Sequence, residues 1–261
     1  MSGISHTRRD HDHLRRHICD GEDVRLRDVT TSYAVLAIAG PNSPRLLGAV
    51  TDADLSDDAF PPYRMRHTHI GHAPVFAQGL SFTGETGWEI FVTPDFAEHV
   101  LEIILEAGQP LGLRLAGGEA LNALRIEKGF LQWGADMAYT EAPYQLGLHF
   151  ICKPGKTLPF IGQDACLARK ADPKGPCLRS VRLADPDAIL HHNEPVLRDG
   201  QIIGFVTSGA FCAMQNAAVG LCLVSPPDGA GGFEAVDDGP CSVMVEGREV
   251  PAELRRKPFG A

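Results

Sequence analysis

Apolar and polar positions divide the chain into a front part mixing helical and strand periods and a rear part of short strands. Charged residues cover 7–19 except at Leu14 and Ile18, four apart, which predicts a helix with one thin apolar stripe. A β-like run follows at 33–39. It stops at Gly40-Pro41-Asn42-Ser43-Pro44, where Ser43 is placed to cap and Pro44 to open a helix running to Val50. Runs 74–82 and 88–92 are rich in β-branched, aromatic and apolar residues. The link between them, Thr83-Gly84-Glu85-Thr86-Gly87, has the glycines of a tight connection, so a hairpin is predicted. Thr93 is then placed to cap a helix with Pro94 at its first position and an apolar stripe of Phe96, Val100, Ile103, Ile104 and Ala107, a helix that Gly108 should stop. A further helix is predicted over 118–128, with Leu121 and Leu124 inward and Gly129 as its stop.

From Cys177 the texture changes to strands at 177–183, 195–197, 201–206, 218–224, 241–245 and 249–254. Asp199-Gly200 and Glu246-Gly247-Arg248 read as turns between them. Strands at this spacing predict a small antiparallel barrel or sandwich. The expected class is α+β: a ferredoxin-like-type lobe followed by a small antiparallel β-barrel. The corresponding division is 1–150 for the front domain, 151–176 for a linking region with Ala171–Pro176 as linker, and 177–261 for the barrel. Residues 225–232, rich in proline and glycine, read as a mobile loop.

Composition changes this picture little. The 261 residues are 44% hydrophobic and 22% charged, ordinary for a globular protein, and length alone admits two domains. A net charge of -9 without a Lys/Arg run gives no footprint for nucleic acid, and Arg255-Arg256-Lys257 reads as a solvated tail. No apolar stretch reaches the roughly 18–20 residues of a membrane span, and residues 1–20 lack a signal-peptide core. Seven scattered cysteines, without CxxC spacing, argue against a disulfide scaffold or zinc knuckle and suit a reducing, cytoplasmic setting.

Histidines 67, 69 and 72, and likewise 11, 13 and 17, cluster without a suitably spaced acidic or cysteine partner, so no metal site is expected. Gly117-Gly118 and Gly229-x-Gly231-Gly232 are too short to be phosphate loops, and Asp57-Asp58 and Asp237-Asp238 read as solvated loops. More informative is a series of three motifs. Phe82-Thr-Gly-Glu85-Thr-Gly87-Trp-Glu89 comes first, then Ala120-Leu-Asn-Ala-Leu-Arg125-Ile-Glu127-Lys-Gly, then Trp133-Gly134-Ala-Asp136, with Pro143 and Pro159-Phe160-Ile161-Gly162 after them. A glycine-flanked hairpin can bring Glu89 and the Phe82 ring to one wall, while a neighbouring helix presents Arg125, Glu127 and Phe130. A carboxylate beside flat aromatic walls suits a pterin, whose amino-pyrimidinone edge offers adjacent N–H donors. The other reading is that these residues only hold turns and helix ends together.

From about Thr7 to Phe259 the series resembles the second and third parts of the glycine-cleavage aminomethyltransferase family, whose pattern is Y-T-G-E-x-G-x-E, L-R-x-E, Y-G-x-D and F-I-G. Phe82 and Trp133 stand where the family has tyrosines. Gly204-x-x-Thr207-Ser208-Gly209 resembles the G-x-x-T-S-G of its C-terminal barrel, and Val250-Pro-Ala252 with Lys257-Pro258-Phe259 resembles its closing strand. The L-R-I-E-K and W-G versions, with Arg9-Asp10 and Leu14-Arg-Arg-His17, resemble the C-terminal region of dimethylglycine and sarcosine dehydrogenases. Their flavin domain would lie upstream, and no FAD domain is represented here. The resemblance implies Phe82 and Phe130 as pterin walls, Glu89 as the carboxylate that holds the pterin, and Arg125 among the cofactor-binding residues.

Three positions depart from the family. Leu121 replaces a folate-contacting arginine, no arginine follows Pro258-Phe259, and no residue matches the Asp of the family's front G-G-x-x-D-D segment. The catalytic residue is therefore unassigned. The resemblance implies a tetrahydrofolate-dependent one-carbon transfer protein that is incomplete by itself, binding folate weakly and not turning over alone. Its partners would be folate, a methylated amine donor and a separate subunit supplying the missing segment. The alternative is a non-catalytic folate-binding or structural subunit. Leu158-Pro159-Phe160-Ile161-Gly162-Gln163 lacks the cysteine of iron–sulfur-maintenance relatives, and a folate-dependent demethylase would also carry the front segment.

Overall fold

The computed structural model describes residues 6–56, 58–153, 158–171, 175–225 and 236–260. Asp57, the glycines of 229–232, part of the 171–176 linker and nearly all of the 225–232 loop lie outside them. The chain forms two compact units. One comprises Met1–Ser81 and Thr86–Leu113, the other Phe82–Glu85 and Arg114–Ala261.

The first unit carries helix α1 (Thr7–Arg16), strand β1 (Ala34–Ala39), helix α2 (Ser43–Val50), strands β2 (Met65–Ile70), β3 (Ala73–Gln78) and β4 (Gly87–Val92), and helix α3 (Pro94–Gly108). The strands pair antiparallel in the order β1-β4-β3-β2. Alternation sends Ile38, Val75, Ala77, Trp88, Ile90 and Val92 to one face, where α2 and α3 cover them with Leu46, Leu47, Val100 and Ile104. Each fully buried aliphatic side chain there contributes about 1.5–3 kcal/mol relative to exposure. The predicted hairpin is the β3–β4 pair, with its first strand ending at Gln78 rather than Phe82. A second hairpin, β2–β3, had no clear period because its outer residues are histidines and an arginine.

Two local expectations are corrected. Ser43 does not cap: it is the first residue of α2, and its hydroxyl lies 2.6 Å from the Gly40 carbonyl and 2.7 Å from that of Thr86. Those acceptors tie β1's exit to the β4 entry, a tertiary task that local spacing does not reveal. Helix α1 ends at Arg16, and Leu14 is exposed on it.

The second unit carries helices α4 (Gly118–Glu127) and α5 (Gln163–Ala171), then strands β5 (Cys177–Leu183), β6 (Pro195–Arg198), β7 (Gln201–Cys212), β8 (Ala217–Val224), β9 (Gly239–Val245) and β10 (Arg248–Arg255). The six strands close into an antiparallel barrel in the order β10-β5-β8-β7-β6-β9. Asp199-Gly200 and Glu246-Gly247 are the two-residue turns of β6–β7 and β9–β10. All four residues have positive φ, the geometry whose twist matches that of a hairpin. Valines 181, 196, 206, 224, 243, 245 and 250 fill the interior with Leu183, Leu190 and Leu254. Arg179, also buried, directs its guanidinium to the carbonyls of Val236 and Leu178.

Helix α4 packs outside β7 and β8, and its inward face differs from expectation. Leu121 and Leu124 are each 38% exposed, whereas Arg125, Ile126 and Glu127 are buried. Only Ile126 enters the apolar cluster there, with Cys212, Val219, Leu221 and Phe259. Gly129 follows the helix in the left-handed region, as its stop should.

Ile90, wholly buried at the centre of the first unit's sheet, sets the scale of that core. Ile90→Ala is expected to destabilise the protein by about 2–5 kcal/mol in chemical denaturation, the range for emptying a packed aliphatic site. A loss below about 1 kcal/mol would contradict this packing.

Candidate functional site

In the first unit α2 and α3 cover one sheet face. The other carries the alternate residues, among them Ala37, Glu89 and Gln78, which stand in one register across β1, β4 and β3. Glu89 is half-buried between those neighbours, and its Oε2 is buried without a hydrogen-bond partner among the described residues. Burial of the carboxylate pushes its pKa above the ordinary glutamate value. On the same face Val35 and Phe91 join Leu14 and Tyr33 in lining a cavity of about 640 Å³. Asp10 and His11 of α1 line that cavity as well, so this face carries a partly buried carboxylate beside a cavity of mixed polarity.

In the second unit the turn 82–85 meets the end of α4. The rings of Phe82 and Phe130 are 6.3 Å apart and nearly perpendicular, at 79°. Lys128 Nζ lies 3.9 Å from Glu85 Oε1, a partly exposed pair that adds little. Phe130 is 40% exposed, so an aromatic corner with one open ring stands at the surface of this unit.

Beneath that corner lies a polar network the sequence showed only in pieces. Arg125 is 1% exposed and Asp136 0%, and Arg125 Nη1 donates to Asp136 Oδ2. Arg125 also donates from Nε to Asn122 Oδ1 (2.9 Å) and from Nη1 to the Phe130 carbonyl (3.2 Å). Its Nη2 donates to Ser208 Oγ (2.7 Å) and Gln132 Oε1 (3.4 Å). A guanidinium has five N–H groups, and here each meets an acceptor. Asp136 accepts in turn from the Gln132 backbone N–H (2.9 Å) and from Thr207 Oγ1 (2.6 Å).

The position of Thr207 and Ser208 follows from a break in the sheet. Register between β7 and β8 shifts between Val206 and Ser208, and such a bulge lets two consecutive side chains serve one site. Gly209 follows because a Cβ there would meet the Leu190 backbone at 2.5 Å. The T-S-G motif is thus the barrel's half of the network. Glu127, grouped in the sequence with Arg125 and Phe130, is buried beside the Cys212 thiol, which is pushed up mainly by burial and then by that carboxylate.

Of the sequence candidates, Phe82 and Phe130 come together at the corner, Arg125 is locked beneath it, and Glu89 belongs to the first unit's sheet face opposite α2 and α3. Asp136, Thr207 and Ser208 were present in quoted motifs but carried no role there. The signal that could have found them is the opposite charge of Arg125 and Asp136 in adjacent motifs, one at the end of a helix and the other in the loop that follows it.

Comparison with known proteins decides the family. Residues 1–156 match the GCVT N-terminal domain, and residues 177–260 match the glycine cleavage T-protein C-terminal barrel domain. The chain belongs to the glycine-cleavage T-protein aminomethyltransferase family. It is 37% identical to 4-methylaminobutanoate oxidase (formaldehyde-forming) of Paenarthrobacter nicotinovorans over 95% of this chain and 29% of that protein. It is 38% identical to the mitochondrial dimethylglycine dehydrogenase of Rattus norvegicus over 92% of this chain and 26% of that one. With the aminomethyltransferase of Rubrobacter xylanophilus it shares 33% identity over 95% of this chain and 62% of that one. Thus the chain spans less than a third of the oxidase and dehydrogenase, and under two thirds of the transferase. Its fold matches that of the glycine cleavage system aminomethyltransferase T of Bartonella henselae, with a TM-score of 0.79 at 20% identity over 98% of this chain and 67% of that one.

Because Asp136 neutralises a buried guanidinium, Asp136→Ala is expected to cost about 3–5 kcal/mol of stability. The double change Arg125→Met with Asp136→Leu should cost less than that single change, since no charge stays buried. Urea denaturation of the three proteins checks this, and a single-variant loss under about 1 kcal/mol would contradict it.

Proposed function

We propose that the chain is a tetrahydrofolate-binding module of one-carbon transfer, of the dimethylglycine and sarcosine dehydrogenase type. The observation that carries this reading is the Glu89 carboxylate, half-buried with one oxygen lacking a donor. A buried unpaired acceptor is costly, so its retention points to a donor that arrives with a ligand. The amino-pyrimidinone edge of a pterin brings two adjacent N–H groups in the plane a carboxylate accepts. The names of two relatives support the substrate side, one forming formaldehyde and one acting on dimethylglycine.

Bound tetrahydrofolate would supply the nitrogen that accepts a formaldehyde-level carbon. This chain's own contribution is to hold and orient it. Glu89 accepts from the pterin edge and fixes the direction of the ring, a proximity effect rather than acid–base chemistry. Taken by itself, the second unit's Phe82–Phe130 corner offers apolar ring surface of the kind a flat ligand group uses, a role proposed independently of Glu89. Arg125 enters as a positioning residue, because its N–H groups already have protein acceptors and its hydrogen bond to the Phe130 carbonyl sets that corner. The group that acts on the transferred carbon is assigned to no residue of this chain.

Titration calorimetry with tetrahydrofolate tests the reading. Glu89→Gln is expected to weaken binding by about 1–3 kcal/mol, the scale of a charged hydrogen bond. Equal affinities would remove Glu89 from the site. Without ligand the sign reverses. A carboxyl whose pKa is raised on folding stabilises while protonated, and that contribution is lost as pH rises through its folded value. The stability of Glu89→Gln relative to the parent chain should therefore rise as pH climbs above the ordinary glutamate range. Parallel stability–pH curves would contradict a desolvated Glu89.

A further inference from the structure

Away from the network, two thiols of the second unit face each other. Cys166, in α5, has its Sγ 3.9 Å from the Sγ of Cys152, fourteen residues earlier. Cys152 is buried at the end of a turn, where its backbone N–H donates to the His149 carbonyl. Cys166 is half-buried. Bond formation needs the sulfurs to close to about 2.05 Å, and the turn before Cys152 is irregular backbone rather than a ladder that resists such a shift.

Helix α5 has reason to respond to such a bond. None of its residues is buried, so no apolar anchor holds it. Among the described residues α5 meets the preceding segment through this thiol contact and through Lys170, whose Nζ stands 5.6 Å from the Tyr144 ring centre. The turn just before Cys152, linked to it by the Tyr144 hydroxyl on the Cys152 carbonyl (3.5 Å), is tied to the barrel: Gln145 Nε2 donates to the Pro176 carbonyl (2.8 Å), and the Gln145 carbonyl accepts from Leu178 N–H (2.8 Å). A covalent link between Cys152 and Cys166 would fasten a loosely held helix to a segment already fixed on the barrel.

We propose that Cys152 and Cys166 form a reversible, peroxide-responsive disulfide that pins α5. The Cys166 thiolate attacks one oxygen of hydrogen peroxide, giving a sulfenic acid as the O–O bond breaks and the other oxygen leaves as water. The Cys152 sulfur then attacks the sulfenic sulfur, and a second water leaves. Two thiols and one peroxide become one disulfide and two waters, with both electrons passing to the peroxide oxygens. The barrel cysteines are poor competitors, because burial pushes the thiols of Cys177, Cys212 and Cys222 up and that of Cys241 up to about 11. Cys19 is exposed but faces no second cysteine among the described residues. The proposal does not depend on the folate reading.

The test treats the full chain carrying Cys19→Ser with stoichiometric hydrogen peroxide and maps its peptides without reductant. Expected is a linked peptide joining Cys152 to Cys166, two hydrogens lighter than its parts and split by dithiothreitol. Cys152→Ser should abolish the link and leave a sulfenic acid at Cys166 that dimedone traps. Cys166→Ser, at the more exposed position, should abolish it with the fold intact by circular dichroism. Proteolysis within 163–171 should slow in the oxidised chain and recover on reduction. Peroxide that leaves both thiols reduced, or oxidises Cys166 without linking it, would overturn the disulfide. A link that does not change proteolysis would overturn the pinning of α5.

Discussion

The Arg125–Asp136 pair is the constraint on which the second unit's surface depends. It joins pieces that no backbone ladder connects: helix α4, the 130–137 loop and the bulge of β7. A buried ion pair is weak evidence of stability, because desolvation offsets much of the attraction. Its value here is geometric. Arg125 bonds the Phe130 carbonyl while the Phe130 N–H bonds the Arg125 carbonyl, so the aromatic residue's backbone is held from both sides. Where the guanidinium sits, the ring beside Phe82 follows.

The first unit solves a different problem. Two helices need one apolar sheet face, and strand alternation then turns Glu89 to the other. That face keeps enough neighbours to desolvate a carboxylate, and among the described residues it offers no donor to Oε2. The raised pKa and the unpaired oxygen have one cause, partial burial without compensation.

What the sequence made legible followed from local rules. The hairpin turns at Asp199-Gly200 and Glu246-Gly247, the Thr93-Pro94 start of α3 and the left-handed Gly129 each depend on neighbours in the chain. What stayed hidden was non-local. Leu121 and Leu124 were assigned inward because apolar residues usually are, but the α4 contact with the barrel buries a charged residue whose partners lie up to 83 positions away. Ser43 had cap spacing, yet its hydroxyl serves carbonyls of the sheet entry. The family motifs were readable as strings. Their division of labour, with T-S-G serving the Arg125–Asp136 pair and Glu89 facing away from the core, required the β7 bulge and the sheet register.

As proposed above, Glu89 accepts hydrogen bonds from the pterin edge. The most direct test is a double-mutant cycle in which one change is made in the ligand. Calorimetry would compare tetrahydrofolate with an analogue lacking the pyrimidinone amino group, each against the parent chain and Glu89→Gln. The account predicts a coupling on the order of 1 kcal/mol or more, since removing either partner should make removal of the other nearly free. Losses that simply add, with coupling near zero, would mean that the amino group and Glu89 never meet, and would contradict it.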